Sequence, residues 1–248
     1  WGYDHFPMSA RYSQGLGMEF LGMTGKFHTS WGEFGGFKHK NALRYEAALS
    51  VANGAKCSVG DQLAPSGRFD MATYDIIGAA YSEVEKKEPW LDGVRSVADI
   101  AVFSNEAAYN VHPSALDISQ FKKSDTGAVR MLLEGKYLFD FIDAESDFSK
   151  YKVIILPDNI PCIKEIEDKL KNFVSNGGKL LSSGKSMLTE NGFAFDFGVK
   201  WIGESEYKPD YMHPLFEYDD VYDTDYVMYT GSQKTELSGG RELAKKVA

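Results

Sequence analysis

Two textures of apolar and polar positions follow one another along the 248-residue chain. In the first, a short apolar run at 20–24 leads into a loop at 25–36 crowded with glycine, aromatic and hydrogen-bonding side chains. Helical spacing follows at 41–53, where Ala42, Leu43, Tyr45, Leu49 and Ala52 share one broad face and Gly54 supplies the stop. A second apolar run at 55–59 leads into the polar loop 60–65. Strand, loop, helix, strand, loop predicts a parallel βαβ unit with its chemistry at the carboxyl ends of the strands, where (β/α)8 barrels carry their active sites. Ile76, Ile77, Ala80, Tyr81 and Val84 then predict a helix over 74–88, closed by Pro89, whose ring disfavours helix at the preceding residue.

The second texture is an alternation of short strands and helices. Strands are expected at 97–103, 137–142, 152–156 and 179–182, with helices at 126–133 and 163–174. The latter is amphipathic through Ile163, Ile166, Leu170, Phe173 and Val174 and ends at Asn176-Gly177-Gly178. Such alternation with short connections points to a parallel sheet wound on both faces. Beyond it, 193–201 and 226–229 read as strands, separated by an acidic, tyrosine-rich stretch at 207–225 that reads as a solvated linker. Its carboxylates lack the loop glycine and terminal glutamate of an EF-hand, so no metal is expected there. The expected organisation is a truncated barrel at 1–94, a doubly wound domain at 95–206, and a linker with the start of a further β region at 207–248.

Composition narrows the function classes. With 36 acidic against 27 basic residues, the net charge of -9 disfavours a nucleic-acid partner. No apolar run is long enough to span a bilayer, so no membrane partner is expected. The two cysteines, Cys57 and Cys162, fall in different expected domains and indicate neither a disulfide framework nor a zinc site. The chain starts at Trp1 rather than Met, and no helix is read before its first strand. It is therefore expected to be a piece of a longer polypeptide, since a whole barrel needs roughly 250 residues.

Three motifs carry a resemblance: Trp1-Gly-Tyr-Asp-His-Phe-Pro7, the run from Gly22 through Phe27-His-Thr-Ser-Trp-Gly-Glu-Phe-Gly35 to Gly36, and Cys57-Ser-Val-Gly-Asp-Gln-Leu63. They resemble the closing third of the barrel in a bacterial group of glycoside hydrolases similar to the α-L-fucosidases of family 151. The region from Val97 onward resembles the β-galactosidase trimerisation domain, a class I glutamine-amidotransferase-like fold that also follows the barrel in family 42 β-galactosidases. The resemblance implies the carboxyl-terminal part of a (β/α)8 barrel followed by a flavodoxin-like, amidotransferase-like doubly wound domain. It also implies a carbohydrate substrate, no cofactor, and a homo-oligomer. The catalytic pair would lie on middle strands of the barrel, ahead of Trp1.

Glycoside cleavage uses two carboxylates, with aromatic faces and polar donors holding the sugar. The strand-end loops supply those residue types. Glu33 and Asp61 are the candidate carboxylates, and His28, Lys26, Gln62, Asp4 and His5 the polar contacts, with Trp31 as a stacking platform. Four of them have a structural alternative: Trp31 as a plug, His28 bonded to a backbone carbonyl, Glu33 solvated in its glycine-rich loop, Asp61 as a cap. In the second domain an active amidotransferase needs a cysteine at the turn after a central strand. That turn reads Ser183-Gly-Lys-Ser-Met187, and Cys162 lies instead before the helix at 163–174. A scaffold that associates with copies of itself is the expected role, with Phe193, Phe195, Phe197 and Trp201 as contact candidates unless a strand buries them. A nucleotide- or flavin-binding role would need a phosphate loop after Phe103, and residues 104–109 offer no glycine and an acid.

Overall fold

The computed structural model describes residues 4–110 and 118–247, so Trp1 to Tyr3 of the first motif lie outside it. By contacts the chain forms two compact units, 1–102 with 126–142 and 103–125 with 143–248.

The first unit opens with a helix that the sequence reading did not expect, α1 (His5–Gly15). Asp4 precedes it without a side-chain cap bond, and Pro7 lies in its first turn, where a missing N–H leaves no bond unmade. Strand β1 (Leu21–Gly25) pairs in parallel with β2 (Lys56–Gly60), Leu21 opposite Lys56 and Gly25 opposite Gly60, and α2 (Lys40–Ala52) joins them. The predicted βαβ unit is thus present within a residue or so at each boundary. His39 caps α2 by accepting the Asn41 N–H at 3.2 Å, and Gly54 ends it at φ +78. The buried face of α2 is Leu43, Ala47, Ser50 and Val51. Tyr45, expected to face the core, is exposed because the helix turns the i, i+4, i+7, i+8 row inward.

Helix α3 (Met71–Glu85) starts earlier than its apolar periodicity suggests, since Asp70 accepts the Ala72 N–H at 3.1 Å as N-cap. Leu43, Ala47 and Ala80 form a core onto which Cys57 and Val59 of β2 and Ile76, Ile77 and Val84 of α3 pack. A fully buried Leu43 contributes on the order of 1.5–3 kcal/mol. The opposite face of the two strands carries Leu21 and Met23, both about half exposed.

The later elements run β3 (Ile100–Phe103), α4 (Asn105–Asn110), α5 (Ile118–Glu134), β4 (Phe139–Ile142), β5 (Val153–Leu156), α6 (Lys164–Ser175) and β6 (Lys179–Ser182). The four strands make one sheet in the order β4-β3-β5-β6. Strand β6 pairs in parallel with β5 and stands at the end of that order, not at its centre as the reading of the Ser183 turn assumed. Ile166, Leu170 and Phe173 form the buried face of α6, while Val174 turns outward. The strand expected from 97 begins only at Ile100, with Val97 exposed.

Short strands β7 (Leu188–Thr189) and β8 (Gly192–Phe193) form a hairpin, followed by β9 (Val199–Glu204), β10 (Asp210–Pro214), β11 (Tyr226–Met228), β12 (Gln233–Leu237) and β13 (Ala244–Val247). The strand expected over 193–201 is therefore broken between β8 and β9. Its phenylalanines pack on one another, Phe193 to Phe197 at 5.6 Å between ring centroids. The stretch 207–225 is not wholly a linker: β10 lies within it and pairs with β11 and β13. Asp210 explains why, being 1% exposed and accepting the Ser232 hydroxyl at 2.6 Å and backbone N–H at 2.9 Å. The Ser232 hydroxyl first, and Lys246 more weakly, hold its carboxyl down at about 2.

Candidate functional site

The carboxyl ends of β1 and β2 meet at the Gly25–Gly60 rung, and the loop after β1 folds Trp31 over it. A Cβ added at Gly60 would lie 2.6 Å from the indole, and one at Gly25 2.9 Å, so only glycine lets the ring rest there. The edge of Phe27, 5.0 Å away at 61°, fixes the indole from one side, yet Trp31 remains 63% exposed. Its indole is thus supported by the strand rung and by Phe27 and is open on its other side in this chain.

Beside it, a cleft of about 200 Å³ is lined by Lys26, Phe34, Asp61, Gln62, Arg68 and Asp70. Lys26 is 3% exposed, its ammonium 3.9 Å from Asp61 Oδ1 and about 5 Å from the ring centroids of Phe27 and Phe37. It donates to the Glu33 carbonyl at 3.3 Å. Burying an ammonium is costly unless it is paired, and Asp61 with two aromatic faces supplies that pairing. Asp61 Oδ1 also accepts the Gln62 N–H at 2.7 Å, which fixes the turn after β2.

Glu33 has a different place. Its Oε1 accepts the backbone N–H groups of Thr29 at 2.7 Å and His28 at 2.5 Å. These bonds, that from Thr29 foremost, hold its carboxyl below the usual range. A carboxylate so engaged shapes the loop that carries Trp31, and is poorly suited to proton transfer near neutral pH. His28 is exposed on the same loop. The structure therefore gathers Lys26, Asp61 and Gln62 in the cleft with Trp31 and His28 on the adjoining loop. Asp4 and His5 do not join them: they begin α1, where Asp4 pairs with Arg130. Reading from sequence did not single out Phe34, Arg68 or Asp70; the Asp70-to-helix transition was the available signal for the last.

In the second unit the corresponding turns close on themselves. Asp125, 3% exposed, accepts the Asn105 N–H at 3.1 Å and the Asn105 side-chain amide at 2.8 Å. Burial pushes its carboxyl up to about 6, against those hydrogen bonds. It thus occupies the start of α4, where a phosphate-binding loop would need space for an anion. The Ser183 hydroxyl donates to Asp158 Oδ1 at 2.7 Å and accepts the Asp158 N–H at 3.0 Å, holding Asp158 at φ +46 after β5. Ser186 accepts the Ile160 N–H at 3.0 Å. Cys162 is half-buried, and burial, then Glu167, push its thiol up, away from nucleophilic thiolate. Among the described residues no group of three or more His, Cys, Asp or Glu side chains converges as a metal site, and no helix is long and apolar enough to cross a membrane.

Comparison with known proteins gives a consistent setting. Residues 129–191 match the family model of the β-galactosidase trimerisation domain. An α-L-fucosidase isoenzyme 2 from Paenibacillus thiaminolyticus aligns with 99% of this chain at 50% identity and a TM-score of 0.90, and the chain spans 37% of that protein's length. A β-galactosidase from Bacillus circulans sp. alkalophilus shares the fold over the whole chain at 16% identity and a TM-score of 0.75, again over 42% of its own length. An exo-β-1,4-mannosidase from Opitutaceae bacterium strain TAV5 matches 83% of the chain at a TM-score of 0.58. Among curated proteins no sequence match is found. The chain is thus a mixed α/β, glycoside-hydrolase-like fragment, similar over nearly its whole length to one part of an α-L-fucosidase and carrying a match to the β-galactosidase trimerisation domain.

Proposed function

We propose that the first unit is the carboxyl-terminal part of a (β/α)8 barrel and that its strand-end loops form the rim of a glycosidase active site, most closely that of an α-L-fucosidase. The observation that carries the reading is Trp31, seated on the Gly25–Gly60 rung and open to solvent beside the Lys26–Asp61–Gln62 cleft. An aromatic face next to paired donors and acceptors suits one apolar and one hydroxylated side of a sugar ring. His28 adds a donor from the same loop. The catalytic carboxylate pair is assigned to barrel strands outside this chain, and Asp61 to orienting Lys26 and substrate. The 50% identity to a fucosidase supports fucoside over other substrates.

The region 95–206 is assigned as an amidotransferase-like oligomerisation domain without amidase chemistry, supported by the match at 129–191 and the raised thiol of Cys162. The resulting enzyme is a homo-oligomer needing no cofactor. The same match supports a second reading, a β-galactosidase-like substrate. Hydrolysis of aryl α-L-fucoside and aryl β-D-galactoside by the longer polypeptide decides between them. Preferential fucoside turnover, with a sedimentation coefficient above that of a monomer at micromolar concentration, is expected. Exclusive galactoside turnover selects the second reading, and turnover of neither refutes both.

A further inference from the structure

Away from the strand-end loops, the first unit holds a second cleft of about 300 Å³, at the small end of the range for ligand pockets. Its polar lining comes from Arg11 and Gln14 of α1, Asn53 and Gly54 at the end of α2, Arg95, and Asp140 of β4. No residue of the Trp31 loop takes part. Two of its polar groups, Asp140 and Asn53, are buried, and Arg95 stands exposed at its edge. Asp140 is 9% exposed and accepts the Ser96 hydroxyl at 2.5 Å. Arg11 lies with its guanidinium 4.4 Å from the centroid of the Phe139 ring and donates through Nη1 to the Pro7 carbonyl at 3.2 Å. Burial lowers the Arg11 pKa, and the charge of Asp140 partly restores it. Asn53, 8% exposed, donates to the Leu49 carbonyl at 2.8 Å. Gly54, at φ +78, lets the Gln14 amide close the floor, since a Cβ there would fall 2.5 Å from Gln14 Nε2. Val51, Leu91 and Val94 add apolar wall.

This donor and acceptor set selects a chemistry. Arginine only donates hydrogen bonds, an ionised aspartate only accepts, and the two amides do both. An anion drawn to Arg11 and Arg95 would stand against the buried Asp140 charge, and a cation drawn to Asp140 would stand against two guanidinium groups; like charges brought together in a half-buried site repel. A neutral group that donates and accepts at adjacent atoms meets both, as neighbouring hydroxyls do. The geometry points to a second, monosaccharide-sized binding site for a neutral polyhydroxylated ligand in this cleft, separate from the strand-end rim. It is independent of the glycosidase reading.

Titration of the ¹⁵N-labelled 248-residue chain with L-fucose, D-galactose and inorganic phosphate tests it. The Trp31→Ala variant serves as background, so that loss of the rim does not affect the outcome. Saturable amide shifts at 51–54, 94–97 and 138–140 with one of the sugars are expected, with a Kd on the order of 1 mM for a dozen heavy atoms. Arg11→Met should weaken this about tenfold by removing charge-assisted hydrogen bonds. Arg95→Ala, at an exposed position, should weaken it about threefold and keeps the test intact if the Arg11 variant fails to fold. Shifts in these segments with phosphate and not with sugars overturn the assignment, as do sugar shifts confined to 26–36 and 60–70, shifts unchanged in Arg95→Ala, or no saturable shifts at all.

Discussion

The ends of β1 and β2 and the ends of β3 and β5 all run into polar loops, yet their side chains behave differently. After β3 and β5 the polar groups bond to one another, in the interior at Asp125 and Asn105 and at the surface at Ser183 and Asp158. Asp125 takes the amides of Asn105, and Ser183 and Asp158 satisfy each other across the turn. After β1 and β2, Glu33 holds the loop through Thr29 and His28, and Asp61 fixes its turn through the Gln62 N–H while pairing Lys26, yet Trp31 is left open. A loop becomes a site when its internal hydrogen bonds free some side chains.

Breaking the closed side should have the largest effect on stability. Asp125→Ala leaves several buried donors without an acceptor and should cost about 3 kcal/mol in urea unfolding. The pH dependence adds a sign. Because the folded carboxyl titrates at about 6 and its ordinary value is 3.8, its contribution is full below 3.8 and is lost as pH rises through 6. The gap between wild type and Asp125→Ala should therefore narrow from pH 4 to pH 7; a gap that widens contradicts the burial argument.

On the open side, Trp31→Ala should weaken saccharide binding about tenfold, the value of one lost stacking contact, while leaving unfolding nearly unchanged. Gly60→Ala should match it with the tryptophan still present, because the new methyl displaces the indole. Equal affinity in Gly60→Ala and wild type would show that the seat does not matter. Glu33→Gln should have a smaller effect, about threefold, through a loosened loop. Its signature is an unmoved acid limb in the pH profile of the longer enzyme; a shifted limb would mark Glu33 as a proton-transfer group. Cys162→Ser should change neither stability nor activity measurably, and Cys162 should react slowly with thiol reagents below pH 8.

Sequence pattern made the βαβ unit and α6 legible because their apolar positions keep a period and α2, β2 and α6 run into glycines at Gly54, Gly60 and Gly177. It did not reveal α1, where Pro7 and a helix start so close to Trp1 leave little periodic signal. Nor did it reveal β10: the surrounding acids and tyrosines read as solvated, and Asp210 is buried only because Ser232, 22 residues later, meets it. At the site, the residue types Trp31, Lys26, Asp61 and Gln62 were visible, and their placement after strands tied them together. The role of Glu33 was not, since its partners are backbone N–H groups whose direction depends on loop geometry. Asp4 and His5 were grouped with the site by motif alone, and the turn into α1 separates them from it.

The central claim is that the Trp31 loop on the Gly25–Gly60 rung presents a sugar-binding rim. It is tested most directly by kcat/KM for an aryl α-L-fucoside in the longer polypeptide, comparing wild type, Trp31→Ala and Gly60→Ala at equal thermal stability. A drop of about tenfold in both variants is predicted. Wild-type kcat/KM in both would contradict it.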